Sequence, residues 1–261
     1  MSFCLSCLTS VGADAKLGSP GCQANGSAAT DQVKNTQIMT GYFVTATGTD
    51  IGKTFLSAAL LRHWRREGRA IAALKPVMSG FDPADVAGSD AGQLLMAMGA
   101  PMDAGGLNLI SPWRFAAPLS PDMAAAREGK TIPYAKLAET CRAVAGMMPE
   151  DGRLIIEGVG GVLVPLDDRH TVMDWMRDCG LPILLVAGSY LGTISHTLAA
   201  LAAMKLHGLK AHAVIVNEST VSPVPLEETV AVLARHAVGE RILALRRSAG
   251  DADVARLAEL L

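Results

Sequence analysis

The sequence predicts an α/β fold: a doubly wound, mostly parallel sheet flanked by helices, formed by a single domain. From residue 41 onward, short apolar runs alternate with longer helix-like stretches, which is the order of elements in such folds. The strand-like runs, for example Pro182–Val186, are continuously apolar, as expected when helices cover both faces of the sheet. A third observation is the tripeptide Gly52-Lys53-Thr54, which stands between an apolar run and a helical stretch.

Each element follows from its apolar pattern and from the turn residues that bound it. The predicted strands cover 41–46, 70–75, 153–158, 182–187, 211–217 and 241–245. The predicted helices lie near 53–67, 88–99, 121–128, 133–147, 193–207, 226–236 and 251–260.

The tripeptide Gly52-Lys53-Thr54 predicts a phosphate-binding loop, because a strand precedes it and a helix follows it. In such a loop, backbone N–H groups and the helix N-terminus hold the phosphates, the lysine adds a full charge, and the threonine hydroxyl binds Mg²⁺. The usual spacing places a glycine five positions before Gly52, where this chain has Thr47, and Gly48 is one position too close. The context still favours the P-loop NTPase type of fold over an ordinary loop.

Other polar residues follow the predicted strands. Lys75 follows the second strand, Glu157 stands at the end of the third, Asn217 ends the fifth, and Asp90 opens a helix. Alone, each has a structural explanation as a strand end, a helix cap or a turn residue. Together they lie at the carboxyl edge of the sheet, where α/β proteins bind ligands. The set therefore predicts a phosphoryl-transfer site.

Composition excludes several classes of function. The chain has 261 residues and a net charge of -2, so no basic surplus indicates nucleic-acid binding. The longest apolar runs, such as Leu181–Ala187, are too short to cross a membrane. The five cysteines show no disulfide framework, and a cytoplasmic location is expected. Residues 1–38 show neither helical nor strand periodicity, so we expect a flexible extension there. We expect residues 39–261 to form the folded domain.

Six ordered motifs resemble the dethiobiotin synthetase family of biotin biosynthesis. The correspondence runs from Tyr42 to about Asn217. The motifs are Val44–Thr54, Lys75–Gly80, Ser89–Ala91, Phe115–Pro121, Glu157–Gly161 with Pro165-Leu166, and Leu191–His196.

The resemblance implies a ligase that uses ATP and Mg²⁺ to carboxylate 7,8-diaminopelargonic acid with CO₂ and to close the ring through a carbamate and a carbamic-phosphoric anhydride. The implied catalytic residues are Lys53 and Lys75. The implied nucleotide-binding residues are Asp50, Ile51, Gly52, Lys53, Thr54, Phe55, Asp90, Glu157, Gly158, Val159, Gly160 and Asn217. The implied metal ligands are Thr54, Asp90 and Glu157, and the implied substrate-binding residues are Thr49, Ser79, Gly192, Ile194 and Ser195. The family binds the distal carboxylate across a dimer interface, so a homodimer is expected.

The chain departs from the family pattern in several places. Ala46 and Gly48 replace a glycine and an aspartate of the loop, and we expect Gly48 to supply the backbone freedom. Asp50 stands where Glu is frequent, and Ser195 replaces an asparagine. Residues 239–247 lack the Gly-x-Ile-Pro segment that helps to hold the base.

Two alternatives remain open at this stage. One is a switch ATPase of the partition or maturation type, although such proteins carry a lysine early in the loop and this chain has Thr47-Gly48-Thr49. The other is a paralogue that binds nucleotide without turnover. An amidoligase of the cobyrinic-acid type would need a glutaminase domain, for which the chain has no room.

Overall fold

A six-stranded parallel sheet organises the molecule in this computed structural model, which describes residues 41–261. The strands are β1 (Gly41–Ala46), β2 (Ile71–Leu74), β5 (Arg153–Glu157), β6 (Ile183–Ala187), β7 (Ala211–Asn217) and β8 (Ile242–Leu245), in the order β2-β5-β1-β6-β7-β8. Every pair in this sheet is parallel, with Val44 opposite both Glu157 and Leu184. The predicted fold class is therefore confirmed, and the predicted extension 1–38 lies outside the described residues.

Nine helices occur among residues 41–261: α1 (Lys53–Arg66), α2 (Asp90–Met98), α3 (Ala104–Ile110), α4 (Pro121–Arg127), α5 (Tyr134–Met147), α6 (Val172–Cys179), α7 (Thr193–Leu206), α8 (Leu226–His236) and α9 (Asp251–Glu259). None of these helices is long and apolar enough to span a membrane. Strands β1 and β6 are buried along their whole length, and β5 is buried after its first residue, Arg153.

Four short elements were not predicted. Strands β3 (Val77–Ser79) and β4 (Trp113–Phe115) form a separate two-stranded parallel sheet, and three residues are too few to show a strand period. Helix α3 contains Gly105 and Gly106, which have poor helix propensity. Helix α6 had a usable signal in the sequence, because Thr171 is followed three positions later by Asp174, the spacing of a capping box. In the structure, the Asp174 carboxylate accepts hydrogen bonds from the backbone N–H and the hydroxyl of Thr171.

The small sheet places two sequence motifs side by side. Ser79 pairs with Phe115, and the backbone N–H of Gly80 donates to the carbonyl of Ala117 at 3.0 Å. The segment that begins at Lys75 therefore runs beside the segment that ends at Pro121. Both segments line one cavity at the predicted site, through Met78–Gly80 and Pro118–Pro121.

Candidate active site

The loop between β1 and α1 is held in shape by left-handed backbone and by Asn217. Gly52 has φ of 99° and Asp50 has φ of 57°, the second being unusual for a residue with a side chain. The Asn217 amide donates to the carbonyl of Ile51 at 3.0 Å. Gly48 is not among the described residues with positive φ, so the expectation that it supplies the backbone freedom is wrong. Asp50 and Gly52 supply it instead.

Gly52→Ala should damage this loop beyond the ordinary cost of a left-handed alanine. A Cβ atom at Gly52 would lie 1.9 Å from Nδ2 of Asn217, so the bond from Asn217 to Ile51 would have to break. We expect destabilisation of about 1–3 kcal/mol in thermal unfolding and clearly weakened nucleotide binding. Gly208→Ala is the matched control, since Gly208 has φ of 72° with nothing within 4 Å of its Cβ position. If both variants bind nucleotide like the parent protein, Gly52 does not shape the site.

Lys53 lies beneath the loop. Its ammonium donates to the carbonyls of Gly160 at 2.9 Å and Gly48 at 3.1 Å. Burial, together with repulsion from Lys75, lowers the pKa of Lys53 to about 8. The lysine therefore stands where a phosphate would relieve both its desolvation and its repulsion.

Lys75 follows β2 and is almost completely buried. Its ammonium lies 2.8 Å from Oδ2 of Asp90, 2.8 Å from Oε1 of Glu157 and 2.8 Å from the carbonyl of Gly158. Burial acts to lower the pKa of Lys75, but the carboxylates of Glu157 and Asp90 outweigh it and leave the pKa above its ordinary value. For Asp90, burial raises the pKa, and the opposing effects of Lys75 and Thr54 leave it below its ordinary value. Lys75 is therefore a permanently charged group within the site.

Asp90 does not act as the cap of its helix. The hydroxyl of Ser89 is the cap and accepts from the backbone N–H of Gly92 at 3.1 Å. This leaves the Asp90 carboxylate free to reach Lys75 and Thr54. The capping explanation considered from the sequence therefore applies to Ser89, and Asp90 belongs to the site.

Thr54, Asp90 and Glu157 form a cluster of oxygen ligands that suits Mg²⁺. The Thr54 hydroxyl lies 2.8 Å from Oδ1 of Asp90 and 2.8 Å from Oε1 of Glu157, and its one hydrogen can serve only one of them. Oε2 of Glu157 is buried without a hydrogen-bond partner. Within residues 41–261, no three His, Cys, Asp or Glu side chains lie close enough together to hold a metal ion by themselves. Mg²⁺ does not need such a group, because it takes one or two carboxylates and completes its shell with phosphates and water.

Two cavities meet at the loop. The first, of about 670 Å³, is lined by Thr47–Gly52, Phe55, Tyr190, His196, Asn217–Val221 and Arg247. The second, of about 530 Å³, is lined by Thr49, Asp50, Lys75, Met78–Gly80, Gly88–Asp90, Pro118–Pro121, Val159, Gly160 and Val164. Thr49 and Asp50 line both cavities. A molecule in one cavity would therefore adjoin a molecule in the other across the loop.

The structure brings most of the predicted residues together. Ile51, Gly52, Phe55 and Asn217 line the first cavity, whereas Lys75, Ser79, Asp90, Val159 and Gly160 line the second. Lys53, Thr54, Glu157 and Gly158 lie between them, joined by the hydrogen bonds described above.

Three predicted residues stand apart at the start of α7. Gly192 and Ser195 are exposed, and Ile194 packs against the apolar cluster of Val216, Leu226 and Leu233. None of the three lines either cavity.

Sequence reasoning missed several lining residues. Ser89 and Pro118–Pro121 stood within motifs that were recognised, so the signal was present. Tyr190 precedes α7 and His196 lies in its first turn, and the Tyr190 hydroxyl lies 2.9 Å from Nδ1 of His196. Arg247 lies in the segment 239–247, whose position was noted but whose sequence lacks the family's Gly-x-Ile-Pro pattern. It reaches the first cavity because β8 pairs with β7, whose last residue is Asn217.

The parallel sheet with β1 between β5 and β6, the Gly-Lys-Thr loop and the acidic cluster beneath it define a P-loop nucleotide-binding protein. Residues 40–245 match the family described as "AAA domain". An ATP-dependent dethiobiotin synthetase of Acidiphilium cryptum (strain JF-5) is 49% identical over 76% of this chain and 88% of its own. That of Methylobacterium nodulans is 43% identical over 81% of this chain and 95% of its own. The chain belongs to the ATP-dependent dethiobiotin synthetase family, and the partition-type alternative is not favoured.

Among solved structures, a ParA family ATPase from Chlorobium tepidum TLS is 14% identical. Its TM-score is 0.49, over 85% of this chain and 92% of that chain. At this identity and TM-score, the similarity supports no conclusion about function.

Proposed function

We propose that this ATP-dependent ligase converts 7,8-diaminopelargonic acid, CO₂ and ATP into dethiobiotin, ADP and phosphate. The observation that carries the proposal is the junction at Thr49 and Asp50, where two cavities meet above Lys53 and Lys75. ATP with its nucleoside in the first cavity places its phosphates on the loop, and an amine substrate occupies the second cavity. This arrangement supports transfer of a phosphoryl group from nucleotide to substrate.

The lining of the second cavity suits an aliphatic diamine. Lys75, Ser79 and Asp90 provide polar groups at the loop end, and Met78, Leu119 and Val164 provide apolar wall. Asp90 and Ser79 can accept hydrogen bonds from the amines, while the chain between amines and carboxylate lies on the apolar wall.

Fixed positive charge is the main catalytic contribution of the chain. One amine attacks CO₂ to give a carbamate, ATP phosphorylates the carbamate, and the second amine closes the ring and releases phosphate. Every intermediate is anionic, so the ammonium groups of Lys53 and Lys75 stabilise the charge as it develops. Thr54, Asp90 and Glu157 would hold Mg²⁺, which neutralises charge on the phosphates when bound.

The assay for this proposal follows label from bicarbonate into product. We expect the purified protein with 7,8-diaminopelargonic acid, Mg²⁺, ATP and ¹³C-bicarbonate to yield ¹³C-labelled dethiobiotin, detected by mass spectrometry. The Lys75→Gln protein serves as the control for contaminating activity. Absence of labelled dethiobiotin with ATP and with other nucleoside triphosphates would refute the proposed reaction.

Arg247 should influence nucleotide binding without touching the chemistry. Its guanidinium donates to the Thr220 hydroxyl at 2.6 Å, and its backbone N–H donates to Oε2 of Glu218 at 3.0 Å. These bonds fix one wall of the first cavity, away from the phosphate loop. Arg247→Ala should raise the KM for ATP about 3- to 10-fold, since a hydrogen bond contributes about 0.5–1.5 kcal/mol, and should leave kcat unchanged.

Arg246→Ala is the matched control for that measurement. Arg246 is exposed, pairs with Glu227, and does not line the first cavity. A KM for ATP that rises equally in both variants would assign the effect to the segment as a whole rather than to Arg247.

A homodimer would bring the start of α7 to the substrate. Gly192 and Ser195 are exposed and line neither cavity of their own chain, so they could reach a substrate only in a second copy. Leu191 and Leu206, near the two ends of α7, are 86% and 87% exposed. Such apolar exposure on one helix supports an interface there.

Light scattering and a bulky substitution test this interface. Ser195→Phe should give a monomer, or a dimer with a raised KM for 7,8-diaminopelargonic acid. Val238→Phe is the control, because Val238 is as exposed as Leu191, at 86%, and lies after α8 rather than at α7. An active monomer of the parent protein would exclude the dimer proposal.

A further inference from the structure

The two lysines and two carboxylates beneath the phosphate loop balance each other in charge, and Asp50 adds one negative charge in the loop itself. Lys53 and Lys75 contribute two positive charges, and Asp90 and Glu157 contribute two negative charges. Lys75 and Glu157 are almost fully buried, and Asp90 is partly exposed in the second cavity. Since charges in such a site are weakly screened by solvent, Lys53 and Lys75 oppose the entry of a further cation.

Lys75 compensates the same carboxylates that would hold a metal. Its ammonium contacts one oxygen of Asp90 and one of Glu157, each at 2.8 Å. Its third hydrogen is directed to the carbonyl of Gly158, also at 2.8 Å, so all three donors are used. The side chain is 2% exposed and is held in place by these three contacts. Lys75 is therefore a fixed counter-charge of the predicted metal ligands.

Lys53 differs from Lys75 in its hydrogen-bond partners. It donates to two backbone carbonyls, Gly48 and Gly160, rather than to either carboxylate. Its charge is oriented toward the loop, where phosphates would bind. Removing Lys53 therefore frees no ligand of the metal, whereas removing Lys75 frees two.

We propose that Lys75 prevents free Mg²⁺ from binding to Thr54, Asp90 and Glu157, so that the metal is held only together with a nucleoside triphosphate. A lone divalent cation would add two positive charges beside two ammonium groups, and Lys75 already occupies oxygens of both Asp90 and Glu157. A triphosphate on the loop brings the missing negative charge and supplies further oxygen ligands. The proposal depends on the metal site proposed above, but not on the identity of the substrate.

The test measures Mg²⁺ binding without nucleotide, by calorimetry and by thermal unfolding. The parent protein should bind Mg²⁺ with a Kd of about 1 mM or weaker, and addition of a non-hydrolysable ATP analogue should make Mg²⁺ binding tight. Lys75→Met should bind Mg²⁺ alone at least about tenfold more tightly, with a Tm that rises on adding Mg²⁺. Lys53→Met is the matched control and should show a much smaller gain.

Three results would overturn the proposal. They are micromolar binding of free Mg²⁺ by the parent protein, no tighter binding by Lys75→Met, and an equal gain in Lys53→Met. If Lys75→Met unfolds in chelator, its refolding at Mg²⁺ concentrations that leave the parent Tm unchanged gives the expected result. If it folds in neither condition, Lys75→Gln takes its place in the titration. The labelled-product assay is independent, so failure here is distinct from failure of the proposed reaction.

Discussion

Lys75→Gln should lower kcat by about 10²- to 10³-fold, the usual loss when one electrostatic contact to a developing anion is removed. Glutamine keeps hydrogen-bonding capacity and removes the charge. ATP affinity should stay within a few-fold of the parent value, because Lys75 lines the second cavity and not the first. Steady-state kinetics with saturating Mg²⁺ separate the two effects.

This variant also loses stability, which the measurement must take into account. Asp90 and Glu157 lose their shared counter-ion, and breaking a buried pair on one side typically costs about 3–5 kcal/mol. Kinetics should therefore be run well below the Tm of the variant. Lys136→Gln, at an exposed lysine on α5 that lines neither cavity, controls for loss of charge alone. A near-normal kcat in Lys75→Gln would show that Lys75 has only a structural role.

Lys53→Ala should weaken ATP binding about 10- to 150-fold. A hydrogen bond to a charged group contributes about 1.5–3 kcal/mol, and Lys53 lies at the start of α1, where the helix dipole also attracts phosphate. Its present partners are the carbonyls of Gly48 and Gly160, which a phosphate oxygen would replace. Equilibrium binding of ATP and of 7,8-diaminopelargonic acid, measured separately, checks the result.

Binding of the diamine should change little in Lys53→Ala, since Lys53 does not line the second cavity. Lys136→Ala serves as the control, because Lys136 is exposed on α5 and lines neither cavity. Unchanged ATP affinity in Lys53→Ala would mean that residues 47–54 do not bind phosphate. Equal loss for both ligands would indicate a general disturbance of the fold.

The sequence by itself determined the sheet and the phosphate loop. Both are local: the buried strands are continuous apolar runs, and the loop needs only a strand, Gly52-Lys53-Thr54 and a helix in that order. Lys75, Glu157 and Asn217 were predicted for a related reason, because parallel strands bring residues that follow them to one edge. The main sheet and all six of its strands follow from these patterns.

Tertiary structure alone decided which groups contact each other. No pattern in the chain indicates that Lys75 shares the carboxylates of Asp90 and Glu157, since these contacts span 82 residues in one case and depend on the packing of β2 against β5. Arg247 reaches the first cavity only because β8 pairs with β7. The left-handed Asp50 and Gly52 are fixed by Asn217, which lies 166 residues from Ile51. Such contacts arise from the packing of distant elements, and no local propensity encodes them.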